Sequence, residues 1–145
     1  MSKSNAHENS ILLLLFNNTD FALIGDAGGL QNSATAGSLY FSLHTGDPGE
    51  AGDQTTSEVT YTSYARVAVA RSGAGFTVST NTVSLVSNVT FPAGTGGSGT
   101  ATHWGLGASS SGAGVLLYKG SISPSIVCGS GVTPQLTAGT VVTED

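Results

Sequence analysis

A chain of 145 residues can hold one domain with its own core and leaves little room for a second. Nine acidic residues against four lysines and arginines give a net charge of −5, which argues against nucleic acid as a partner, because phosphate binding needs clustered cations. The one cysteine, Cys128, cannot close an intrachain disulfide, so a disulfide-stapled scaffold is excluded and a small apolar side chain is expected there.

Taken in chain order, the polar stretch SKSNAHE reads as part of a loose arm over residues 1–10. Asn9 or Ser10 is then placed to cap a short helix running through Phe16. The block ILLLLF (Ile11 to Phe16) is far shorter than the roughly 20 apolar residues a membrane helix needs. It is also too short for a leader peptide, so the mature chain is expected to start near Met1. Its apolar residues occupy every face. That pattern implies cover from two sides, by a second layer of the same domain or by another subunit. Ile11, Leu12, Leu14, Leu15 and Phe16 are therefore candidate contacts to another subunit.

Gly25 to Gly37 reads as a loop. SLYFSLHT then alternates, with Leu39, Phe41 and Leu43 on a core face and Tyr40, Ser42 and His44 on the other. YARVAVAR repeats the pattern with Ala65, Val67 and Val69 inward. NTVSLVSNVTFP keeps Val83, Leu85, Val89 and Phe91 in phase until Pro92. Further strands are expected at Thr100 to Leu106, Gly114 to Ile122 and in short pieces between Ile126 and Val142, separated by glycine- and serine-rich turns. The fold class is all-β: an antiparallel β-sandwich or barrel of about seven to nine strands with a short N-terminal helix, residues 11–145 forming one domain. Between Arg71 and Glu144 only Lys119 is charged, a composition suited to a surface covered by neighbours in an assembly.

The stretch HTGDPGEAGDQTTSE invites a calcium reading, with Asp47, Glu50, Asp53 and Glu58 among glycines. Its spacing fits no EF-hand loop, and Asp47-Pro48-Gly49 is a strong turn signal, so a turn is the preferred reading. Glycoside hydrolysis needs two carboxylates converging on a sugar, which acids clustered between residues 47 and 58 do not supply. Serines abound and His44 and His103 are present, yet no nucleophile-elbow pattern accompanies them; both histidines are expected as polar side chains opposite the apolar face. GTGGSG matches a dinucleotide fingerprint but leads into a strand rather than a helix. Trp104 shares phase with Leu106 and is expected as a core anchor. Arg66 either stands in solvent or forks onto a carboxylate of the preceding loop, with Asp47, Glu50 and Asp53 as the candidates, tethering that loop to the sheet.

The order SLYFSLHTGDPGE, YTSYARVAV, VTFPAG, THWGLG, GVLLYKGSIS and LTAGT resembles a family of small tailed-bacteriophage structural proteins. That family runs from an apolar N-terminal helix through an LFTADP-like turn, a YAR strand, an FP strand end, a THFGIF-like strand and an LLYHGAL-like strand. The likeness extends from about Ile11 to about Val142. Asn17 to Gly37 is longer and richer in glycine than the pattern, and VCGSGVTPQ replaces a plainer link. The resemblance implies a virion structural protein and carries over no catalytic residues; no metal or cofactor is expected from the spacing of the acids, histidines and cysteine. The leading expectation is a capsid cement or decoration protein on the outer capsid surface. It would stabilise contacts between capsid subunits, with the major capsid protein and neighbouring copies of itself as partners. It would form a homo-oligomer in the virion and use neither nucleic acid nor membrane. The alternative is a tail-fibre or receptor-binding module.

Overall fold

The computed structural model describes residues 2–144. The two end residues of the arm and domain ranges expected above, Met1 and Asp145, fall outside them. Helix α1 (Asn5–Asn17) is followed by nine strands: β1 (Ser38–His44), β2 (Val67–Ala70), β3 (Phe76–Ser79), β4 (Thr82–Leu85), β5 (Val89–Thr90), β6 (Ser98–Gly107), β7 (Leu116–Gly129), β8 (Gln135–Leu136) and β9 (Thr140–Thr143). They form three sheets, ordered β2-β1-β6-β7, β3-β4-β9 and β5-β8, with antiparallel pairing in every strand pair whose register is described. The chain is all-β with one short N-terminal helix, as the alternation predicts.

Two compact units divide it. The first comprises Met1–Ser38, Ala70–Ser87 and Ala138–Asp145. Here α1 starts earlier than the sequence suggests. Ser4 is the N-cap, its Oγ accepting from the His7 backbone N–H at 3.4 Å, and Asn18 closes the C-terminus in the left-handed region at φ 53°. Most of the expected arm is thus helical, because a serine at the cap satisfies an orphan N–H and the polar residues after it can face solvent. Although apolar all round, the helix fully buries one line of residues, Glu8, Leu12 and Phe16, spaced by four. It packs on β3 and β4. Phe16 meets Phe76 edge-on, ring centroids 5.0 Å apart, and Val83, Leu85 and Val142 complete the core. After α1, residues 19–31 form a built hairpin: Phe21 and Leu30 exchange backbone hydrogen bonds at 3.0 and 2.9 Å.

The second unit comprises Leu39–Val69 and Asn88–Thr137. Leu39, Phe41 and Leu43 are buried as their phase predicts, with Val59, Tyr61, Val89, Phe91, Ala101 and Leu106. Central β6 lies between β1 and β7, pairing Leu43 with Trp104 on one side and Trp104 with Gly120 on the other. Trp104 is half-buried, its ring 5.8 Å from Phe41. Gly120 permits this, because a Cβ there would sit 2.6 Å from the indole. The YARVAVAR strand is shorter than predicted, beginning at Val67 and leaving Ala65 exposed. NTVSLVSNVTFP is two strands rather than one, although its four in-phase apolar residues are all buried.

Candidate interaction surface

The face of β1 opposite the core is not solvated. Ser42 and His44 are both 0% exposed, because residues 45–58 fold back over them. The loop closes on its own strand: Thr45 N–H donates to Ser57 at 2.7 Å and Val59 N–H to Leu43 at 2.9 Å. His44 Nδ1 lies 2.8 Å from the Thr56 carbonyl, which can only accept, so this nitrogen carries the proton and Nε2 accepts from the Ser42 hydroxyl at 2.8 Å. Burial holds the imidazole pKa below its ordinary 6.5. His44 stands on the face opposite the apolar residues, as expected, and that face is covered. Alternation shows which residues avoid the core, but not that a loop covers the other side.

A second clasp is Gln54, also 0% exposed. Its Oε1 accepts from Ser109 N–H at 2.9 Å and its backbone N–H donates to Gly114 at 3.1 Å. Gly107 makes room for it, since a Cβ there would sit 2.2 Å from the Gln54 amide carbon.

Arg66 is the third clasp, and it tethers the loop through a residue other than the three expected. Its Nε and Nη2 fork onto Glu58 at 2.7 and 2.8 Å, while Nη1 and Nη2 also donate to the carbonyls of Ser109 and Gly112. Only 2% of the Arg66 side chain is exposed. Tyr64 joins by donating to Glu58 at 2.8 Å and accepting from Leu43 N–H at 3.1 Å. The hydrogen bond to Glu58 raises the Arg66 pKa, and burial raises that of Tyr64. Glu58 takes this place because it stands at the foot of the loop, bridged to His44 at the end of β1.

The three expected carboxylates lie farther out. Asp47 and Glu50 hold Lys119 of β7 at 3.0 and 3.3 Å. Asp47 also accepts from Gly49 N–H, and that contact, with Lys119 after it, keeps its pKa low. Asp53 turns back on its own turn, accepting from the hydroxyl and N–H of Thr55, which depresses its pKa likewise. The acidic stretch is therefore a turn, as preferred, clasped to β1 at His44, to β7 at Lys119, and through Gln54 and Arg66 to the segment between β6 and β7. Beside Lys119 lies an open cleft of about 280 Å³, with Glu50 and Tyr118 in its lining. The Glu50 side chain is 96% exposed, so the cleft does not enclose a substrate.

Among the described residues, no three His, Cys, Asp or Glu side chains cluster as a metal site, and no helix is long and apolar enough to cross a membrane. The Ser42–His44 contact has the spacing of a nucleophile and its base, but both groups are sealed from solvent.

The helix contacts expected from the sequence divide. Leu12 and Phe16 are 0% exposed and spent on the internal core, a correction that follows from their four-residue spacing toward β3 and β4. Ile11, Leu14 and Leu15 are half-buried. Arg71 donates to the Leu14 and Leu15 carbonyls at 2.8 and 2.7 Å and to Ala36 at 3.0 Å, closing the helix C-terminus. The strongly exposed apolar side chains lie elsewhere: Leu23 (80%), Val127 (66%) and Val115 (65%) lead them. None stood out in the sequence, because a single apolar residue in a glycine-rich loop or at a strand end carries no periodic signal.

Over residues 2–144 the chain matches the model of the family Gp80, described as podophage GP4 fiber I protein gp80. No curated protein matches it. The family match covers all but the two terminal residues and agrees with the phage resemblance carried by the YAR, FP and THW segments; the chain belongs to the Gp80 family of phage structural proteins.

Proposed function

We propose that this chain is a structural module of a tailed-phage fibre, working through protein contacts rather than chemistry. The observation that carries this reading is the match across residues 2–144 to a family described as a fiber protein. The geometry supports it. Glu58, Asp47, Glu50 and Asp53 serve internal contacts, the one buried Ser–His pair is sealed, and the largest exposed apolar side chains sit on loops and strand ends. Its partners are other virion proteins and copies of itself. The family description favours the fibre over the capsid-cement reading predicted from the chain.

Electron microscopy of particles carrying an antibody-labelled chain tests the assignment. Label on tail appendages is the expected result; label distributed over the head would instead establish the cement role.

A further inference from the structure

The hairpin of residues 19–31 carries a bulky apolar side chain where the fold alone would not place one. Leu23 has φ +67°, in the left-handed region that L residues avoid, and it is 80% exposed. Gly25 and Gly29, the other left-handed positions of this hairpin, are glycines, and a Cβ at Gly29 would sit 2.1 Å from the Phe21 carbonyl oxygen. One exposed leucine is ordinary. An exposed leucine that also strains its backbone gives the fold neither burial nor conformational ease, so its use lies outside the fold.

The tip is pre-organised. Asp26 Oδ1 accepts from Gly28 and Gly29 N–H at 2.8 and 3.0 Å, Asp20 accepts from Asn32 N–H at 2.7 Å, and Gln31 donates to the Gly28 carbonyl. At its base, Phe21 rests edge-on against His7 of α1, centroids 5.5 Å apart, and Asn18 at the helix C-cap bonds Ser33 in both directions at 2.8 and 2.9 Å. Ile24, 39% exposed, stands next to Leu23. A tip already fixed in one conformation loses little entropy on docking.

Charge selects the occupant. The hairpin carries Asp20 and Asp26 and no cation. All four cations of the chain are engaged internally: Lys3 with Glu144, Arg66 with Glu58, Arg71 with the Leu14, Leu15 and Ala36 carbonyls, and Lys119 with Asp47 and Glu50. A second copy would bring no spare cation to this tip, and a net charge of −5 would meet its like. We infer that the hairpin is a docking finger whose Leu23 and Ile24 enter an apolar socket, rimmed by basic groups, on a different protein of the virion. The inference rests on the virion role of the chain and names the partner's chemistry.

Particles produced without this chain, complemented with variants, give the test. Leu23→Asn suits the left-handed region, so the purified variant should melt about 2 °C higher than wild type while its incorporation into purified particles falls about tenfold or more. Leu23→Met, which keeps an apolar side chain, should incorporate within about twofold of wild type. Wild-type incorporation of Leu23→Asn would overturn the inference. So would sedimentation showing a wild-type oligomer that Leu23→Asn dissolves, since the socket would then be a second copy. If the wild-type chain is absent from purified particles, the virion role itself fails, and the finger with it.

Discussion

Arg66 and Glu58 meet as a two-pronged pair, Nε to Oε1 at 2.7 Å and Nη2 to Oε2 at 2.8 Å, with 2% of the arginine and 15% of the glutamate side chain exposed. Removing one partner strands the other, since the guanidinium holds two further carbonyls and Tyr64 keeps its hydroxyl on the carboxylate. Glu58→Ala should cost about 3 kcal/mol in urea unfolding, and Glu58→Leu with Arg66→Met distinctly less than the sum of the single changes. Arg66→Lys should resemble a deletion, because an ammonium cannot span both oxygens and both carbonyls. A double-variant loss equal to the sum of the two single losses would remove the pair from the stability of the loop.

His44 sets a pH window. Its folded pKa is depressed below 6.5 by burial, with Glu58 opposing and Arg66 and His103 adding to the depression. The unfolded chain therefore takes up the proton first as pH falls. Stability should be level above about pH 6.5 and decline below it until the folded imidazole also protonates. Melting at pH 7.5 and 5.5 measures this. His44→Asn, whose amide can donate to the Thr56 carbonyl without titrating, should flatten the difference. Asp47 and Asp53, depressed likewise, act in a separate window near and below pH 4, where their contribution is lost.

Gly120 faces the indole of Trp104, the single tryptophan. Gly120→Ala needs the ring to move away from a Cβ at 2.6 Å, so it should red-shift the emission and destabilise by about 1–3 kcal/mol. An unchanged spectrum would mean that the ring does not lie over Gly120 in solution.

Arg71→Gln removes the guanidinium that binds the Leu14 and Leu15 carbonyls. Amides near the end of α1 should exchange faster with solvent, with a loss of about 1–3 kcal/mol. Ser4→Ala should weaken the other end by about 1 kcal/mol. Protection unchanged at both ends would show the helix held by Leu12 and Phe16 alone.

What the sequence disclosed follows the reach of each signal. Period-two alternation found β1 and its core face, because Leu39, Phe41 and Leu43 need no knowledge of other segments. It missed that His44 is buried, since the covering loop returns through contacts at Gln54, Thr56 and Glu58 that no periodicity encodes. The tether was visible as chemistry, a scarce arginine near several acids, but its partner depended on which carboxylate the turn brings to the foot of the loop. The helix start was hidden because Ser4 caps a first turn made of polar residues. Leu23 was unreadable for the opposite reason: a left-handed position is inferred from glycine or asparagine, and neither stands there.

Among the described residues the outer edge of β7 pairs no further strand, and its register with β6 jumps: Ala101 faces Ile126, His103 faces Ser121, and the single Thr102 stands opposite Ile122, Ser123, Pro124 and Ser125. Proline offers no N–H to an incoming strand, and the four-residue bulge throws the two halves of the edge out of line. An extended segment from another chain can therefore zip along one half only. If copies of this chain met edge to edge, the interruption would limit strand-on-strand growth to one half of the edge.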